Sequence, residues 1–278
     1  MNDIFSFRRF GLILSKDFQE NWKKYVLQFL TLFGIMAVIL TWPYYNRYQY
    51  LPNDYEHDNM QLLRIASFLF LGFGIFFAST MMDSMREKTL RISYLTIPVS
   101  NFEKFISRWL LVSIGYIIVF FTALWFADAF RVTVLSYKYP ELSFGFLDFS
   151  KLINTVSNDY SNYHAFPNTP VFTLCISIYA LFQSLFILGS TFWEKASFIK
   201  TFSAIAVILL LFSFLNRGVI EISYNDLDSF NNSMNNITYD LSEKTVLLFF
   251  ASIFGFFTLV NWVIAFFRFR ESEIIKRL

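Results

Sequence analysis

The chain alternates between long apolar runs and shorter polar segments. Six of the runs are almost free of charge, and each is close to the roughly 20 residues that a helix needs to cross a hydrocarbon core. Backbone groups inside a bilayer have no water to bond, so runs of this kind have to be helical. We therefore expect an all-α, polytopic membrane protein with one transmembrane domain over residues 1–278. The predicted spans are 25–42, 62–82, 109–127, 171–192, 198–215 and 246–267.

The segment before the first run, residues 1–24, has a helical pattern of its own. Apolar side chains recur every three or four residues and so share one helix face, opposite basic residues such as Arg8 and Lys23. The apolar positions are Phe7, Phe10, Leu14, Phe18, Trp22 and Tyr25. The pattern predicts an amphipathic helix that lies in the membrane interface, with its rings at the acyl boundary. The alternative is an ordinary flank that leads into the first span.

Loop charges predict the orientation, because Lys and Arg are enriched on the cytoplasmic side of membrane proteins. With the N-terminus inside, the cytoplasmic segments carry 16 Lys and Arg against 9 Asp and Glu. The outer segments carry 7 Lys and Arg against 12 Asp and Glu, and they include the acidic loops 128–170 and 217–244. We therefore expect both termini to be cytoplasmic. Neither outer loop has a pattern that identifies a substrate.

Composition narrows the function. Hydrophobic residues make up 55% of the chain and Phe alone contributes 38 residues, which excludes a soluble globular domain of this size. The single cysteine, Cys175, allows no disulfide within the chain. The sequence contains no P-loop and no metal-binding or catalytic motif, and the only charged residues within the six runs are Arg64 and Lys200, each near the end of its run. Gln183 and Asn261 lie at depth, where we expect them to hydrogen-bond between helices. These features predict neither an enzyme nor a self-powered transporter.

The most specific local signal is the loop between the second and third runs. Residues 87–94 predict a short helix, and Pro98 should end it because proline disfavours helical backbone in the residue before it. Ser100 and Glu103 have the spacing of a capping box, so a new helix should begin at Asn101 and run into the third span. The loop is therefore expected to form a helix, a tight turn and a second helix. Such a compact, charged projection suits a soluble partner.

This loop resembles the corresponding loop of permease subunits in ATP-binding-cassette type-2 exporters. The residues that carry the resemblance are Thr89, Leu90, Leu95, Pro98, Val99, Ser100 and Glu103. The number of spans, the orientation and the N-terminal helix also resemble that family over the whole chain. Two places depart from its pattern. Lys88 stands where Gly often precedes the Thr, and Ser107 and Arg108 stand where Gly-Lys is common.

The resemblance implies a mechanism that suits the missing catalytic groups. In that family two permease chains, identical or similar, pair in a bacterial inner membrane, and two separate ATPase subunits dock below them. The loop supplies a coupling helix that inserts in an ATPase groove, and closure of the ATPases moves the second and third spans to open a path outward. No cofactor is then expected on this chain, since ATP and Mg²⁺ bind to the ATPases. Membrane lipid is a further expected partner, and nucleic acid is not.

The residues to which these roles carry over fall into two groups. The implied ATPase-coupling region consists of Arg86, Glu87, Lys88, Thr89, Leu90, Arg91 and Ser93. The implied coupling turn contains Pro98, Ser100 and Glu103.

Two other classes of function compete with the exporter. A non-transporting scaffold or sensor would dock a cytoplasmic partner through the same loop and would have the same spans and loop charges. An intramembrane enzyme acting on lipid is disfavoured, because no acid, base, nucleophile or metal cluster converges at one depth. An ATPase that accompanies the chain would favour the exporter over the scaffold.

Overall fold

The computed structural model describes residues 5–49, 55–85, 88–153, 164–193, 195–224 and 242–275. The helices are α1 (Phe7–Thr41), α2 (Tyr55–Ser79), α3 (Lys88–Leu95), α4 (Asn101–Leu110), α5 (Tyr116–Lys138), α6 (Thr169–Phe192), α7 (Ser197–Tyr224) and α8 (Glu243–Ile275). A π-helical turn, Leu111–Gly115, joins α4 to α5 without a break. Short 3₁₀ turns lie at Arg47–Gln49, Asp83–Met85 and Phe149–Lys151, and these described ranges contain no β-strand.

Six stretches of helix are long and apolar enough to cross a membrane. They are Phe7–Thr41, Asn59–Ser79, Asn101–Lys138, Thr169–Phe192, Ser197–Val219 and Glu243–Glu271. This confirms the predicted all-α, multi-pass membrane protein. Every predicted span lies largely within one of these stretches, and most of the helices continue beyond the predicted ends.

The predicted N-terminal helix of residues 1–24 and the first span are a single helix. α1 has 35 residues and is roughly 52 Å long at 1.5 Å per residue, whereas a hydrocarbon core is about 30 Å thick. Nothing breaks the helix, because residues 12–33 include neither glycine nor proline. The aromatic face predicted for this segment is largely uncovered, with Phe7, Phe18 and Trp22 exposed. Its position in the membrane interface stays a prediction, and residues 1–4 lie outside the described part.

The third span also continues further than predicted, to Lys138, and so takes in the first part of the predicted outer loop 128–170. Asp128 and Arg131 permit this, because both are buried and their charges compensate each other at 2.7 Å. Arg131 also donates to the backbone oxygen of Gly145 at 2.9 Å. The ion pair thus extends the helix and holds the start of the outer loop against it.

Two apolar clusters hold the bundle together. The first lies between α1, α2 and α5 and contains Leu32 and Phe120. The second joins the loop end of α2 to α3, α4, α6 and α8, and it contains Met81, Ile187 and Phe269. α6 packs most extensively on α8, and α1 on α5. The second cluster therefore lies under the loop that resembles a coupling loop.

α7 lies at the periphery of the bundle. Only 6% of its most apolar window is buried, against 28–33% for the first four spans. Its main neighbour is α6, where Gly189 lies directly against Thr201. A Cβ added to Gly189 would lie 2.9 Å from Cβ of Thr201 and 2.8 Å from its Cγ2. The glycine is therefore what permits the close approach of these two helices, and exposed apolar side chains such as Leu210 and Phe214 lie along the described part of α7.

Candidate functional site

The loop between the second and third spans folds as a helix, a turn and a helix. α3 ends at Leu95, the turn contains the exposed Pro98, and α4 begins at Asn101. The capping box is formed as predicted: the Ser100 hydroxyl accepts from the Glu103 amide at 3.2 Å, and the Glu103 carboxylate accepts from the Ser100 amide at 3.1 Å. We call residues 88–110 the knob.

Glu103 does more than cap α4. Its side chain is completely buried, and its Oε1 atom accepts from the backbone amide of Ser6 at 2.6 Å and from Nη2 of Arg9 at 3.3 Å. Buried carboxylates are retained only where hydrogen bonds and opposite charge compensate the loss of water. Glu103 meets this condition by binding the first residues of α1. The capping residue of the knob is therefore also its link to the first span.

A second ion pair makes the same connection further along both helices. Arg108 of α4 donates from Nη2 to Asp17 of α1 at 2.7 Å, and both side chains are largely buried. The other oxygen of Asp17 accepts from the Tyr25 hydroxyl at 2.7 Å, and Asn21 donates to Asp17 at 3.1 Å. The Asp17–Arg108 ion pair is thus a second attachment between α1 and α4. The first is the contact of Glu103 with Arg9.

Tyr94 connects the short helix α3 to the rest of the structure. It is buried, and its hydroxyl donates to the backbone oxygen of Lys104 at 2.9 Å. The guanidinium of Arg108 lies 5.1 Å from the Tyr94 ring, within the range of a cation–π contact. The Tyr94 ring also makes an edge contact with Phe269 of α8, with 6.4 Å between centroids. We refer to Arg9, Asp17, Tyr94, Glu103 and Arg108 together as the hub.

Aromatic side chains extend the hub along α4 and α8. Phe105 packs against Phe266 and Phe269 with centroid distances of 5.6 Å and 6.1 Å. One turn deeper, Trp109 and Trp262 meet edge to face at 5.1 Å. The knob is thus fixed to the first span by ion pairs and to the last span by rings.

The α3 side chains that the structure describes as exposed are uncharged. They are Thr89, Ile92 and Ser93, and exposed Thr96 follows directly after the helix; their spacing of three and four residues places them on one face. Arg91 is turned inward, because its Nε and Nη2 atoms donate to the backbone oxygen of Met85 at 3.1 Å and 2.8 Å. The sequence predicted Arg91 as part of a charged surface for a partner. Its guanidinium instead binds the turn at Met85 within the protein.

Some predicted coupling residues fall outside the described part of the chain. Arg86 and Glu87 are among them, and so are the side chains of Lys88 and Leu90, although both of the latter residues belong to α3.

Two polar contacts, one buried and one partly buried, lie deeper in the membrane-spanning part. Gln183 of α6 donates to the Ser113 hydroxyl in the π-turn at 3.3 Å, and Asn261 of α8 donates to the Ser184 hydroxyl at 2.9 Å. Both contacts cross between helices, which confirms the role expected for Gln183 and Asn261. Both are hydrogen bonds between uncharged polar side chains inside the apolar part of the helices.

Sequence reasoning missed most of the hub. The sequence predicted helices that contain Arg9 and Asp17 in one case and Tyr94 in the other, but it predicted no contact between them. Arg108 was identified only as a departure from the Gly-Lys pattern. A usable signal was the position of Asp17, one of two carboxylates within the basic first part of α1. The hub is a set of ion pairs, hydrogen bonds and ring contacts that joins α1, α3, α4 and α8.

Within the described ranges, no group of three His, Cys, Asp or Glu side chains is placed to hold a metal ion. Comparison of the chain with protein-family models, with curated proteins and with solved structures gives no match.

Proposed function

We propose that this chain is the membrane-spanning subunit of an ATP-driven exporter in a bacterial inner membrane. It pairs with a second permease chain, identical or similar, and receives energy from separate ATPase subunits that bind ATP and Mg²⁺. Both termini and the knob lie on the cytoplasmic side, as the loop charges favour. Export as the direction of transport follows from the family resemblance of the loop.

The observation that carries this proposal is the hub. A soluble partner that pressed on the exposed face of α3 would act on a rigid body, because Tyr94 holds α3 to α4. The ion pairs of Glu103 and Arg108 then pass the displacement to α1, and the ring contacts of Phe105 pass it to α8. Charge-assisted hydrogen bonds are about twice as strong as neutral ones, so these links resist deformation better than a loop would.

The competing function is a scaffold or sensor that docks a cytoplasmic partner through the same face and transports nothing. The scaffold function requires the exposed residues of α3. It does not explain why ion pairs join the knob to the first span and ring contacts join it to the last one. The two functions also differ in the partner they require, because only the exporter needs an ATPase.

Co-purification from native membranes in mild detergent tests the proposal. We expect mass spectrometry to find a P-loop ATPase at close to one copy per chain, with ATP hydrolysis in the same fraction. Thr89→Arg places a long cationic side chain on the exposed face of α3 and should remove the ATPase from the complex. Thr133→Arg is the matched control, because Thr133 is an exposed residue near the other end of the spans, and it should retain the ATPase.

Recovery of the chain alone, or with a partner that does not hydrolyse ATP, would contradict the exporter and favour the scaffold. Loss of the ATPase from both arginine variants would show that the face of α3 is not the docking surface.

A further inference from the structure

Two cavities lie side by side where α1 passes α4 and α5. The first, of about 470 Å³, has charged side chains at six of its twelve lining residues, and we call it the charged cavity. The second, of about 240 Å³, is walled mainly by apolar side chains, including Phe77, Met81 and Val112, and we call it the apolar cavity. Lys24 and Arg108 belong to the walls of both. The two together form one amphipathic groove.

The order of the cavities follows the direction of the spans in every element that lines them. In α1 the charged cavity begins at Ile13, and the apolar cavity reaches Gln28. After α2, Asp83 lines the charged cavity, while Phe77 and Met81 line the apolar one. From α4 onward, Ser107 contacts only the charged cavity, and residues 111–119 contact only the apolar one. The charged cavity therefore lies at the loop end of the spans, and the apolar cavity lies further into the bundle.

This order matches the construction of a phospholipid. Polar headgroups occupy the interfacial layer of a bilayer, and acyl chains occupy the hydrocarbon layer. A phospholipid whose headgroup lay in the charged cavity would have its chains directed toward the apolar cavity.

The charges of the wall select the type of headgroup. Three basic and three acidic side chains line the charged cavity: Lys16, Lys24, Arg108, Asp17, Glu20 and Asp83. The pair of Arg108 and Asp17 forms a buried floor, whereas the pair of Lys24 and Asp83 is about two-fifths exposed, with 2.7 Å between its charged atoms. Lys16 and Glu20 form a looser exposed pair at 3.6 Å. A purely anionic headgroup would meet as many carboxylates as cations, while a zwitterionic one finds a partner for each of its charges.

We propose that the groove binds one zwitterionic amino-phospholipid. Its phosphate lies against Lys24, its ammonium group lies against Asp83 and Glu20, and one acyl chain fills the apolar cavity. Binding exchanges the exposed Lys24–Asp83 pair for two lipid contacts and leaves the buried floor intact. The inference does not depend on the exporter function, because the proposed lipid contacts are with Lys24, Glu20 and Asp83. Of the exposed α3 residues named above, only Ser93 lines the charged cavity.

Native mass spectrometry of the full chain tests this inference. The chain, purified in detergent, is mixed with equal amounts of phosphatidylethanolamine and phosphatidylglycerol that carry the same acyl chains. We expect one retained phosphatidylethanolamine, and Lys24→Gln should weaken its retention roughly tenfold, the effect of losing one hydrogen bond to a charged group. Lys138→Gln is the matched control, because Lys138 lies near the other end of the spans, where it donates to the Tyr45 oxygen at 2.6 Å.

A second variant tests the apolar cavity without touching a charge. Gly115 lines this cavity, and the nearest atom to an added Cβ would be 3.8 Å away, so a larger side chain has room to enter. Gly115→Leu should therefore displace the acyl chain and lower retention of phosphatidylethanolamine. Circular dichroism and gel filtration confirm that each variant is folded before its lipid is measured.

Three results would overturn the inference. One is equal retention of the two lipids, and another is retention that neither Lys24→Gln nor Gly115→Leu reduces. The third is displacement of the lipid by free phosphoethanolamine at similar concentration, which would make the site a receptor for a soluble zwitterion.

Discussion

The Glu103 carboxylate has two roles that are usually performed by different residues. It completes the capping box of α4, and it binds the Ser6 amide and the Arg9 guanidinium at the start of α1. The first role was predictable, because it depends on two residues three positions apart. The second was not, since Arg9 is 94 positions away and only the tertiary structure brings it near. The same limit explains why the contact of Asp17 with Arg108 was missed.

Glu103→Gln separates these two roles. Glutamine keeps the size of the side chain and can still accept from an amide, but it removes the charge that Arg9 binds. We expect the variant to lose about 2 kcal/mol of stability, in the range for a hydrogen bond to a charged group. Thermal unfolding in detergent measures this as a lower midpoint.

Glu271→Gln is the control for this substitution. Glu271 pairs with Arg268 at 3.3 Å, but both side chains are well exposed, so we expect little change. Midpoints that fell equally in the two variants would show that Glu103 is not a structural link.

At the scale of helices, hydropathy located all six spans but not their ends. Apolar runs identify the part of a helix that lies in hydrocarbon, whereas the ends depend on whether nearby polar residues find partners. Asp128 and Arg131 satisfy each other, so α5 continues through them to Lys138. At the other end of the same span, the capping box at Ser100 was readable from the sequence, and the start of α4 was predicted to the residue.

The contact between α6 and α7 depends on a single small residue. Gly189→Ala would place a Cβ against the branched side chain of Thr201, which has no rotamer that moves its own Cβ away. We expect a loss of about 1–3 kcal/mol, the usual cost of overpacking. Unfolding in detergent, or increased protease cleavage between α6 and α7, detects it.

Gly34→Ala provides the comparison. Gly34 also lies within a span, but a Cβ there would meet nothing within 4 Å. Alanine is the better helix former, so this variant should be as stable as the parent or more so. A Gly189→Ala protein as stable as Gly34→Ala would mean that α7 is free to move away from α6.

For the whole molecule, loop charge and the even number of spans predict that both ends of the chain lie on one side. Accessibility of introduced cysteines tests this in a Cys175→Ser background, where no native thiol reacts. Thr89→Cys and Tyr137→Cys are suitable because both residues are exposed, and they lie near opposite ends of the bundle. We expect an impermeant maleimide to label Tyr137→Cys on intact spheroplasts and Thr89→Cys only after permeabilisation.

Both cysteines should react equally in detergent, which controls for buried or oxidised thiols. Labelling of Thr89→Cys on intact spheroplasts would reverse the orientation and remove the knob from the cytoplasm.

The π-turn at Leu111–Gly115 has a consequence for how this sequence can change by descent. Removing one residue from an ordinary α-helix rotates everything beyond it by about 100°, so that buried side chains turn outward. A π-turn holds one residue more than the α-helical turn it replaces. Loss of one residue within 111–115 would therefore close the turn and leave Arg108 and Phe120 on their present faces. Single-residue deletions in this long helix should survive in related genes at this position and be lost elsewhere.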